Sequence, residues 1–223
     1  MSVEMNTIRL LGAAQLFVFT ASLLSDRLLA SVLGSGDISE MLVNISKNLT
    51  RVRMSNLFAL FNCVGIVILW VLFYVVFYKE HRIIALVALG FFIAEAITLA
   101  VSKIGTFGLI PLSQEFVEAG TPQASSYQTL GNFLYYGVNQ RGYDIHMLFF
   151  CLGGILWYYL LYISNSIPRA LALWGLIAIC LLLIPMLIQL YDRDLLPATG
   201  ILALPYLPFE VVLGLWLLVR GFT

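Results

Sequence analysis

YDIHMLFFCLGGILWYYLLYISNSIPR, residues 143 to 169, joins a long apolar run to one histidine and a sharp stop. Between Ile145 and Ile163 the only side chain that titrates near neutral pH is His146. A run of roughly 19 residues, rising about 1.5 Å each, covers the hydrocarbon thickness of a bilayer, so the stretch reads as a transmembrane helix. Asp144 and His146 enter at one end, Gly153-Gly154 lets a neighbour approach in the middle, and Tyr158, Tyr159 and Tyr162 sit where an aromatic belt belongs. Ser164-Asn165-Ser166 and Pro168 end it, because proline disfavours helical geometry in the residue before it.

The rest of the chain has the same character. Of 223 residues 61% are hydrophobic and only 11% charged, with a mean hydropathy of +0.96, which is too few charges to cover a soluble globule of this size. Twelve basic and twelve acidic side chains cancel, so neither a nucleic-acid surface nor a polybasic lipid-binding patch is expected. Cys63, Cys151 and Cys180 lie in apolar runs without C-x-x-C spacing, which argues against a disulfide framework. The first apolar stretch is too long for a signal-peptide core and is expected to be a retained helix.

Six spans can be drawn, about Ile8 to Leu29, Met54 to Tyr78, Ile83 to Val101, Ile145 to Ile163, Ile167 to Leu190 and Leu204 to Val219. The expected fold is an all-α membrane protein, one transmembrane helical-bundle domain over residues 1–223. The connections at 79–82 and 164–166 are short, whereas 30–53, 102–144 and 191–203 are longer and fall on the opposite face. By raw count the positive charges favour the long-loop face as cytoplasmic. The basic residues of the short-loop face hug the span ends, however, and that face is expected inside, with the inverted topology as the alternative.

Asp37-Ile38-Ser39-Glu40 has the form of a capping box, and Ile38, Met41, Leu42, Ile45 and Leu49 recur at helical spacing. An interfacial amphipathic helix is therefore expected between helices 1 and 2. The long connection between helices 3 and 4 contains Gly105, Gly108, Pro111, Gly120 and Pro122 ahead of Tyr127, Leu130, Phe133 and Leu134. It reads as a loop, one short helix, and a second helix running towards the fourth span.

Ionisable groups at membrane depth are expensive, so each is expected to face the bundle interior and have a partner. Gln15, Ser22 and Asp26 share a stripe of the first span, Glu95, Thr98 and Ser102 of the third, and Tyr206, Glu210 and Gly214 of the sixth, while the second carries Asn62. Alternating directions place Asp26, His146, Asp192 and Glu210 towards the long loops, with Glu95 and Asn62 nearer the midplane. A polar ligand-binding cavity of Glu210, Glu95, His146, Arg53, Asn62 and Asp26 is the expectation. The bland readings are helix-end pairs of Asp26 with Arg27 and of Asp192 with Arg193, a buried ion pair for Glu210, and a structural role for His146. Arg51 and Arg53 are candidates to neutralise Glu210 or Asp26, or to hold an anionic headgroup.

No H-E-x-x-H, P-loop, G-x-S-x-G or aspartate-rich diphosphate motif is present. No cofactor is expected and no metal site is assigned, although His146 with Glu95, Glu210 or Asp26 would make an oxygen-rich one.

Asn44-Ile45 followed by Arg51 or Arg53, the His146 span closing in I-S-N-S-I-P-R-A (Ile163 to Ala170), and Glu210 ahead of G-L-W-L-L-V-R-G (Gly214 to Gly221) resemble an uncharacterised family of small bacterial integral membrane proteins, a domain-of-unknown-function family. The resemblance covers nearly the whole chain. It implies a multi-pass, six-helix protein of the bacterial inner membrane and brings no known reaction. Two functions then stand open: binding or transport of a small amphipathic or lipid-like ligand, or an intramembrane enzyme with His146 as acid/base on a lipid or isoprenoid. A third is an accessory subunit. Expected partners are membrane lipids, that ligand, and either further copies of the chain or a larger membrane partner.

Overall fold

The computed structural model describes residues 5–34, 36–79, 81–122, 126–192 and 200–222. Among them the chain is all helical. The elements are α1 (Met5–Leu33), α2 (Ile38–Lys47), α3 (Leu49–Phe77), α4 (Arg82–Glu118), α5 (Ser126–Asn132), a π-helical segment (Phe133–Gln140), α6 (Arg141–Ile163), α7 (Arg169–Tyr191), a 3-10 turn (Gly200–Ala203) and α8 (Tyr206–Val219). Among the described residues six helical stretches are long and apolar enough to cross a membrane, so this is a multi-pass membrane protein. Large apolar side chains such as Ile68, Ile97, Ile177 and Leu187 are exposed, which hydrocarbon tolerates and water would not. Glu80 in the second connection and residues 193–199, Arg193 among them, lie outside the described residues.

Each expected span forms, and most run further than their apolar cores. The largest difference is at the third. Gly105, Gly108 and Pro111, read from sequence as loop, are inside α4, whose 37 residues extend about 55 Å, well beyond one bilayer core. The reason is packing. A Cβ at Gly105 would overlap the Leu134 carbonyl oxygen and lie 2.8 Å from the Asn139 amide nitrogen, which are the i and i+5 groups that a π turn pairs. Here glycine permits backbone contact within a helix and ends nothing.

The chain divides into two compact units. The first comprises 1–19, 64–96 and 144–223. Its floor is aromatic: Trp70 stacks on Phe92 with ring centroids 3.2 Å apart and meets Trp157 edge-on at 5.1 Å. α1 and α8 touch backbone to backbone, because a Cβ at Gly12 would lie 2.5 Å from the Leu218 nitrogen and 2.8 Å from the Gly214 oxygen. On α7, Gly175 leaves room for the buried Phe209 ring, and the Trp174 indole donates to the Pro205 carbonyl at 3.2 Å, which seats the start of α8. Gly90 on α4, by contrast, faces open space.

The second unit comprises 20–63 and 97–143. The amphipathic helix between helices 1 and 2 forms as α2, with Asp37 as N-cap accepting from the Glu40 amide at 2.9 Å. Ile38, Met41, Leu42 and Ile45 are buried in a core with Leu29, Val32, Leu33, Leu109 and Phe116. The Gln128 side chain donates to Ser39 at 2.9 Å and ties α5 to α2.

Candidate functional site: a polar cavity in the first unit

The backbone contact of Gly12 with Gly214 places the groups one turn away on each helix opposite each other. They are Gln15 on α1 and Glu210 on α8, and the Gln15 amide donates to Glu210 Oε1 at 3.3 Å. Tyr206 precedes Glu210 by four residues, on the same face, and its hydroxyl donates to the same oxygen at 3.1 Å. The Tyr206 hydroxyl lies 2.6 Å from that of Tyr158 on α6. Tyr158, Tyr206 and Gln15 are buried, so a carboxyl, an amide and two phenols form one hydrogen-bonded chain out of water.

Across the space from this chain stands Glu95 of α4, buried and in electrostatic contact with Glu210. These residues line one cavity with Val18, Ile66, Leu69, Trp70, Phe92, Phe150 and Gly154. Its free volume is about 20 Å³, room for a single water molecule. His146 does not line it. Its Nδ1 lies 3.9 Å from Glu95 Oε1 and 3.3 Å from the Glu95 carbonyl oxygen, so it braces the glutamate. Two residues before it, buried Asp144 accepts from the Gln189 amide at 2.8 Å.

Of the six residues expected to share a site, Glu95, Glu210 and His146 come together here. Arg53, Asn62 and Asp26 belong to the second unit. There Arg53 and Asp26 are exposed, while Asn62 is buried with an unpartnered side-chain oxygen. Tyr158 was legible only as an aromatic-belt residue, since nothing along α6 marks its hydroxyl. Lys103 falls in the 102–144 stretch read from sequence as a connection, yet it is buried in α4. Reading α4 past Ser102 would have placed it two turns from Glu95. Among the described residues no three His, Cys, Asp or Glu side chains group closely enough to hold a metal ion.

A family model described as a domain of unknown function, DUF4386, matches residues 10–221. The chain belongs to this family. The matched range holds every residue of the cavity, from Gln15 to Glu210. Neither the curated proteins nor the solved structures yield a match.

Proposed function

We propose that this multi-pass protein binds or transports a small amphipathic or lipid-like ligand, and that the cavity in the first unit receives the ligand's polar end. The supporting observation is the composition of the lining. Two carboxyls, an amide and two phenols stand among Trp70, Phe92 and Phe150, with no lysine or arginine among the lining residues. Such a surface favours a hydrogen-bond donor or a cation over an anion. A volume of about 20 Å³ further limits the inserted group to about the size of water, a hydroxyl or an ammonium. The apolar remainder of the ligand would lie among the helices or in lipid. Acid/base catalysis by His146 has less support, because His146 is held against Glu95 and does not reach the cavity. A bacterial inner-membrane location is part of the same proposal and rests on the resemblance described above.

Glu210→Gln tests the reading, since it keeps the shape of the side chain and removes its charge. Purified wild type and mutant would be compared by native mass spectrometry for co-purifying small molecules and by thermal melting. The expected outcome is a folded protein that has lost its ligand. A ligand retained in full by a folded Glu210→Gln protein sinks the assignment.

A further inference from the structure

The second unit holds a cation that the cavity of the first does not explain. Lys103 on α4 is 3% exposed, the one lysine or arginine among the described residues to be buried. Taking an ammonium out of water is costly unless acceptors replace the lost hydration. None do among the described residues. The nearest aromatic face, Tyr143, is 5.9 Å from Nζ, near the outer limit of a cation–π contact. Asp26 on α1 attracts the ammonium, and Cys63 on α3 lies within its field.

One turn along α4, Thr106 faces α3. Its hydroxyl is 3.0 Å from the Lys103 carbonyl oxygen and 2.6 Å from Asn56 Oδ1. The shorter length is typical of O–H···O and short for N–H···O, so the amide oxygen of Asn56 is turned to the threonine. The amide nitrogen of this fully buried asparagine is then left as a donor, and it has no acceptor. A buried lysine and a buried amide donor that has no acceptor thus stand on adjacent helices, linked through Thr106.

We propose that Lys103 and Asn56 form a binding site for an anionic oxygen group, a phosphate or a carboxylate, with Lys103 supplying the charge and the Asn56 amide a second hydrogen bond. A lipid headgroup and a free anion share this chemistry. The Asp26 carboxylate balances the lysine when the site is empty and competes with the anion when it fills. Asp26→Asn should therefore tighten binding.

The test uses the full chain in zwitterionic detergent, titrated with phosphatidylglycerol, with phosphatidylcholine as the zwitterionic reference, and separately with inorganic phosphate. Bound fractions are read by native mass spectrometry. Lys103→Met keeps an unbranched stem and removes the charged end, and should weaken binding at least about tenfold, the effect of losing a charge-assisted hydrogen bond. Preference for phosphatidylglycerol alone identifies a lipid headgroup, and binding of inorganic phosphate identifies a soluble anion; both support the site when Lys103→Met abolishes them. The proposal is overturned if neither anion binds the wild type above the phosphatidylcholine reference, or if Lys103→Met binds as the wild type does. Should Lys103→Met fail to fold, Asp26→Asn decides: tighter binding supports the site, and unchanged or weaker binding overturns it.

Discussion

Tyr206 is the residue through which the polar chain of the first unit is most exposed to test, because its hydroxyl serves both Glu210 and Tyr158. Tyr158→Phe removes one neutral hydrogen bond and should lower stability by about 1 kcal/mol. Tyr206→Phe removes two and leaves the Glu210 carboxyl one donor short, so its loss should be larger, about 2 kcal/mol. The double mutant loses the shared bond once. It should be less destabilised than the sum of the singles by about 1 kcal/mol, measured by thermal or denaturant unfolding in micelles. Strict additivity would show that the 2.6 Å contact carries no coupling. Gln15 and Tyr206 were legible as members of polar stripes because helical spacing groups residues by face, and Glu210 alone of the three was read as a site residue. The bonds from Gln15 and Tyr158 cross between helices, and no spacing within one helix reports them.

Glycines on the helices divide into those that join two elements and those that join nothing. At Gly12 a Cβ meets backbone of α8, which cannot move aside as a side chain tip can. Gly12→Leu should therefore part α1 from α8 and destabilise the protein by roughly 1–3 kcal/mol. Gly90 has nothing within 4 Å of its Cβ position. Gly90→Ala should be neutral or stabilising by up to about 1 kcal/mol, the helix-propensity difference. Equal losses at both positions in the same melting assay would contradict the assigned α1–α8 contact. In sequence both are glycines in apolar runs, and the same ambiguity made Gly105 and Gly108 read as loop. Glycine marks a turn or a close approach with equal ease, and only the neighbouring helix decides which.

Six spans predict short connections at one face of the membrane and long ones at the other. In a background lacking Cys63, Cys151 and Cys180, a cysteine placed at Ala119, after α4, should react with an impermeant reagent applied to intact cells. Cysteines at Lys79 and Asn165, in the short connections, should not. Reaction at Lys79 and Asn165 alone inverts the orientation, and reaction at Ala119 together with Lys79 refutes the six-span topology.

What the sequence by itself determined is the solvent and the elements: hydrocarbon from the scarcity of charge, six spans from uninterrupted apolar runs, and α2 from a capping aspartate ahead of a periodic apolar face. These are local properties, set by the period of the helix and by the transfer of side chains out of water. Tertiary structure alone decided which polar groups meet. It joined Glu95, Glu210 and His146 in the first unit, added Tyr158, and in the second set Thr106, one turn from buried Lys103, against Asn56. A polar side chain in a span must find a partner, but its identity depends on how neighbouring helices are rotated and how closely they approach. Those quantities are settled by packing between distant parts of the chain, as where Gly12 meets α8 and Gly105 meets the π-helical segment.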